Sequence, residues 1–117
     1  MTSDPPPDGV TWTQATGSAA FPARASAAAA VFNGRMWVIG GYDSNSRMND
    51  VWSSADGINW TQATASAPFS ARSDLQALVL NSQLCVIAGN DGTRTHDAWC
   101  SSDGTQWRVA TQVVARF

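Results

Sequence analysis

Nine polar side chains fall where a ligand would meet them: Arg24, Tyr42, Asp43, Arg47, Arg72, Asn90, Asp91, Arg94 and His96. All lie in or beside stretches that read as connections, and binding residues concentrate on connections held by a rigid scaffold. A guanidinium offers a planar fork of donors, suited to carboxylates and sugars as well as to structural carbonyls. Arg24 and Arg72 recur in matching contexts, Phe21-Pro-Ala-Arg24 and Phe69-Ser-Ala-Arg72. Recurrence favours a structural job, a bridge to an aspartate or carbonyl of a neighbouring unit, over a unique catalytic one. The competing reading is a basic circle at a channel mouth. Asp43 and Asp91 have the side chain that accepts turn amides. His96 is the only histidine, and a lone imidazole among polar residues is more often solvated than catalytic. A hydrolytic triad needs a positioned imidazole and a third orienting group. No nucleophile–base pair, metal-ligand cluster or phosphate-cradling loop is legible, so no catalytic residue, metal or cofactor is expected.

The elements that must position these residues come in copies. Val10-Thr-Trp-Thr-Gln-Ala-Thr16 matches Ile58-Asn-Trp-Thr-Gln-Ala-Thr64, and Val31-Phe-Asn33 matches Val79-Leu-Asn81, at an offset of 48. After about Thr95 the offset is 47, so that Trp52 matches Trp99. A third copy opens at Trp107-Arg-Val-Ala-Thr111. A fixed period of this length is the mark of a repeat architecture.

Composition narrows the class. The 117 residues carry seven Arg and nine Asp, with no Lys and no Glu. The net charge of -2 and the absence of a basic stripe argue against nucleic acid. No apolar run is long enough for a membrane helix, and no charged n-region with an apolar h-region stands at the start. Lys and Glu are strong helix formers, whereas Asp prefers caps and turns. Gly or Pro recurs along the chain, at 17, 22, 34, 40, 41, 57, 68, 89, 92 and 104, too often for long helices. The chain reads as all-β. Cys85 and Cys100 fit neither a disulfide framework nor a metal site. They fall on neighbouring strands, where two half-buried thiols are favoured over a cross-strand disulfide.

The expected strands of the first copy are a (Ala25–Phe32), b (Arg35–Gly40), c (Asp50–Ser54) and d (Ile58–Ala63). Asn33-Gly34 closes the a–b hairpin, because both positions of such a turn need positive φ. Asp56-Gly57 gives a second tight turn. The second copy follows with Leu75–Leu80, Gln83–Ala88, Asp97–Ser101 and Gln106–Ala110. Tyr42–Asn49 and Asn90–His96 are expected as long polar loops. Val10–Ala15 reads as a surplus d strand, which would cap the Asp97–Ser101 strand of a second copy in competition with that copy's own Gln106 strand. Trp12, Trp52, Trp60, Trp99 and Trp107 sit at strand positions and are expected in the core. Trp37 is the odd one, since its counterpart is Cys85.

Gly40-Gly41, Tyr42 and Trp52 resemble the kelch repeat, whose pattern is a strand into a glycine pair and then a separated aromatic pair. In the second copy Ala88-Gly89 and Asn90 replace the glycine pair and the tyrosine, and Trp99 is kept. The resemblance spans about residues 10–111. It implies β-propeller blades of four antiparallel strands, two per chain plus the extra strand. Ser54-Ala-Asp-Gly-Ile-Asn-Trp60 and Ser101-Ser-Asp-Gly-Thr-Gln-Trp107 also resemble the Asp-box of sialidase-type propellers, one residue short of its usual spacing. There the aspartate ties off the c–d turn and the tryptophan packs between blades.

The division expected is a disordered Pro-rich lead-in over 1–9, two blades over 10–112 and a tail over 113–117. Two blades leave two apolar faces open, and repeats of this kind need about three neighbours for a continuous core. A homo-oligomer is expected, a trimer giving a six-bladed ring, with a protein or carbohydrate ligand on the loop face. The alternative is a fragment of a sugar enzyme like the sialic-acid mutarotases of the family. That would put Arg24 and Arg72 in one central pocket.

Overall fold

A computed structural model describes residues 9–110. The lead-in up to Asp8 and the expected tail lie outside the described residues. Eight strands form two four-stranded antiparallel meanders. The first holds β1 (Ala28–Phe32), β2 (Arg35–Tyr42), β3 (Arg47–Ser54) and β4 (Thr61–Thr64). The second holds β5 (Gln76–Leu80), β6 (Gln83–Asn90), β7 (Arg94–Ser101) and β8 (Arg108–Val109). The strand order is sequential in both, as blades require.

The inner strands are longer than the hydrophobic pattern implies. The glycine pair does not end strand b. It sits inside β2 as a bulge: the ladder with β3 slips between Ile39 and Gly41, and Gly40 and Gly41 have φ of 65° and 113°. A glycine within a strand is the ordinary mark of such a bulge. Pairing then resumes through polar residues, Tyr42 opposite Arg47 and Asn90 opposite Arg94. The long loops therefore shrink to 43–46 and 91–93. The outer strands are shorter than expected, since β1 starts at Ala28 and β8 has two residues. Val10–Ala15 forms no strand, and β7 pairs with the chain's own β8. Trp12 is 85% exposed rather than in the core. The surplus strand fails because β3 and β7 already have partners on that edge.

Side-chain alternation gives each sheet two faces. Ala28, Phe32, Trp37, Ile39 and Val51 of the first sheet share one core with Leu84, Val86, Phe69, Leu75 and Trp107 of the second repeat. Each large side chain among them contributes about 1.5–3 kcal/mol by leaving water. The lead-in to β5, residues 65–75, lies along the first sheet. Arg72 donates its backbone N–H to Met48 O at 3.0 Å and accepts from Gly41 N at 2.9 Å. Ala67 donates to Asn49 O at 2.9 Å. The Asn49 amide donates to Ala67 O and Phe69 O at 3.0 and 3.1 Å. Glycine is required at this approach: a Cβ on Gly40 would stand 2.9 Å from Arg72 O. Trp37 reaches across the same seam. A Cβ on Gly104 would meet its ring at 2.2 Å, and its indole N–H is satisfied by Phe32 O at 2.8 Å.

The cysteines correct the thiol expectation. Cys85 and Cys100 are direct register partners on β6 and β7, with Cα atoms 4.1 Å apart, and form a disulfide. Two cysteines facing each other across a ladder are already at bonding range, which no count of spacings reveals.

Candidate functional site

The candidate residues gather at the end of both sheets that carries the β2–β3 and β6–β7 turns. They divide into groups that build the scaffold and groups that remain open. Arg24 and Arg72 belong to the first kind. Arg24 grips Asp50 with both terminal nitrogens at 2.6 and 2.9 Å, and also donates to Gly40 O and Pro22 O. Arg72 repeats this on Asp97 at 2.7 and 3.1 Å, with Ala88 O and Ser70 O. Each guanidinium lies 5.6 Å over a phenylalanine ring, Phe21 or Phe69. Each aspartate also accepts the indole N–H of Trp52 or Trp99 at 2.9 Å. The partner is therefore in the arginine's own sheet, not in a neighbouring one as the recurrence suggests. The backbone of Arg72 makes the neighbour contact while its side chain holds its own sheet.

Burial works to raise the Asp50 carboxyl, but the Arg24 and Trp52 hydrogen bonds outweigh it and hold it below the ordinary value. For Asp97 the Arg72 hydrogen bonds dominate over burial and lower it to about 2. Sequence reading missed both aspartates. The signal was present as Asp50-x-Trp52 and Asp97-x-Trp99, repeated in step with Phe-x-x-Arg.

Asp43 and Asp91 close the short turns. Asp43 accepts from the backbone N–H of Asn45 and Ser46 at 3.0 and 2.9 Å, which lowers its carboxyl. Asp91 accepts from the Ser70 hydroxyl at 2.7 Å and Thr93 N at 3.2 Å, and is lowered by them. Asn90 accepts from Gly92 N at 2.9 Å. Arg47 lies 6.0 Å over the Tyr42 ring, and the Tyr42 hydroxyl donates to Ser44 O at 3.0 Å. Arg94 and His96 are exposed on β7 beside Asp97, around a shallow recess.

At the opposite end, the c–d turns are tied by Asp56 and Asp103. Asp56 accepts from Ile58 N and Asn59 N at 2.8 and 2.9 Å, and Asp103 from Thr105 N and Gln106 N at 2.9 and 3.0 Å. These amides hold both carboxyls far below the ordinary range. Trp60 stacks edge-on against Phe21, and Trp107 against Phe69.

The exposed Arg94 and His96 can donate hydrogen bonds, while the exposed Tyr42 ring and the half-buried Arg47 beside it offer a stacking surface. Among the described residues no cluster of three or more His, Cys, Asp or Glu is placed to hold a metal. Among the described residues no helix is long and apolar enough to cross a membrane. No curated protein matches the chain. Residues 23–53 match the family model described as the Kelch motif. That stretch runs from Arg24 through the glycine bulge to its aspartate and tryptophan, and the second sheet repeats the same tether. The match thus falls on the first of two blade-like four-stranded sheets.

Proposed function

We propose that this chain is a non-enzymatic kelch-type propeller module that assembles with copies of itself into a closed ring and binds a protein or glycan on the polar end. One observation carries the reading. The outward face of each sheet is apolar and open: Val31 is 72% exposed on the first sheet, and Leu80 is 60% exposed on the second. Apolar faces of this kind mark interfaces. With two sheets per chain, three chains make six blades, within the range in which propellers close. The binding surface is then the ring of Tyr42, Arg47 and Arg94 from each copy. The mutarotase-like alternative loses its main support, because Arg24 and Arg72 are each held by an aspartate of their own sheet.

Light scattering on a size-exclusion column tests assembly. The expected mass is about three times the 12.4 kDa chain, constant with dilution. Another discrete multiple changes the blade number, and a folded monomer overturns the ring. Binding is tested on a glycan panel with wild type and an Arg47→Ala/Arg94→Ala variant. Retention by wild type and loss by the variant is the expected outcome.

A further inference from the structure

The seam inside the chain is a template for a second seam. By ladder position, Gly41 and Met48 correspond to Gly89 and Thr95, so Asn49 corresponds to His96 and Ile39 to Ile87. The segment 65–75 that covers the first sheet has its own counterpart in 17–27, ahead of β1. Ile39 is 0% exposed beneath that cover, while Ile87 is 37% exposed without one. The side chains of Arg24 and Arg72 are equally covered, at 3% and 2%. Arg72 is buried as a whole residue and Arg24 is not, so the exposure of Arg24 lies in its main chain.

We propose that segment 17–27 and the Val31 face of one copy dock on the β6–β7 face of a second copy, in the register of the internal seam. This rests on the self-association proposed above and gives it a direction and an atomic register. Arg24 N would then donate to Thr95 O of the second copy, and Gly89 N of that copy to Arg24 O. Ala19 N would donate to His96 O. His96 takes the place of Asn49 and donates a ring N–H toward the carbonyls of Ala19 and Phe21. The contact is head-to-tail, so it propagates and closes only if the rotation allows.

Besides His96 for Asn49, the two seams differ at the bulge. Ala88 stands where the internal seam has Gly40, and a Cβ there meets the opposing carbonyl at 2.9 Å. The backbones must stand a few tenths of an ångström further apart between copies, which makes this seam the weaker one. Ala88 also holds φ at 59°, a conformation that glycine adopts freely.

Two variants test the direction. Val31→Asp disables the head and Ile87→Asp the tail, and both side chains are exposed in the single chain, so folding is retained and is checked by circular dichroism. Each variant alone should be monomeric by light scattering, and a one-to-one mixture should form a two-chain complex through the single intact head and tail. Ala88→Gly should tighten wild-type association about tenfold. Ile58→Asp, exposed on a c–d turn, should leave the mass unchanged. If wild type is monomeric at every concentration, both the ring and the seam fall. If wild type grows into open polymers that these variants stop, the ring falls and the seam stands. If wild type is a discrete oligomer that Val31→Asp and Ile87→Asp leave intact, the ring stands and the seam falls. A mixture that stays monomeric also overturns the head-to-tail register.

Discussion

The Arg72 guanidinium is the most consequential single group in the described chain. It is 1% exposed as a residue and forks onto a carboxylate that also holds an indole N–H. Removing the guanidinium takes its hydrogen bonds from an Asp97 carboxylate that is 33% exposed, so water replaces part of them. Arg72→Ala should lower stability by about 1.5–3 kcal/mol, read from the urea midpoint. Arg72→Lys should not restore it, because an ammonium cannot fork. The lowered aspartates set the acid limit. Asp97, at about 2, and the turn aspartates Asp56 and Asp103 bind protons less readily folded than unfolded. Their contribution is complete above the unfolded value near 4 and is lost as pH falls through the folded values. Stability should therefore hold from pH 7 to about 4 and decline toward pH 2, more shallowly in Asp97→Asn. Denaturant titrations across that range check this. The arginines were legible as a recurrence, but their partners were not, because the sequence shows spacing and the tether is set by which strand lies opposite.

At the scale of the element, the two blades keep one topology with different fillings. Trp37 in the first sheet and the Cys85–Cys100 bridge in the second occupy the same ladder position. Gly104 exists in its present form to admit the Trp37 ring. A methyl there would overlap the ring and force an alanine into φ of 84°. Gly104→Ala should cost about 2–4 kcal/mol from overpacking and left-handed strain, measured by thermal unfolding. Breaking the disulfide, which closes a 15-residue separation, should cost about 3 kcal/mol. Unfolding with and without reductant, against a Cys85→Ala/Cys100→Ala control, checks that. The Asn33-Gly34 hairpin was readable, and both residues do hold positive φ, 53° and 69°. The glycine pair was misread as an end because hydrophobicity stops there, while backbone pairing needs no hydrophobicity to continue. Val10–Ala15 was misread as a strand because it copies the sequence of β4, and a copied sequence still needs a free edge.

At the scale of the whole molecule, two blades share one core and leave two faces that match it. The repeat period made this legible before any coordinates. Which faces remain open required knowing that 65–75 lies across the first sheet. If the native state is an assembly, its stability depends on protein concentration. The midpoint of thermal unfolding should rise with concentration for wild type and stay constant for Ile87→Asp, as calorimetry at several concentrations would show.

Gly40 and Ala88 differ by one methyl at the same bulge, and that methyl separates two clocks. The joint within a chain is closed and covalently tethered, whereas the proposed joint between chains would stand slightly ajar. Assembled rings should therefore trade whole chains with one another while every chain stays folded. Subunits carrying different labels would scramble in two-sheet units, never in single sheets, and Ala88→Gly would slow the trade.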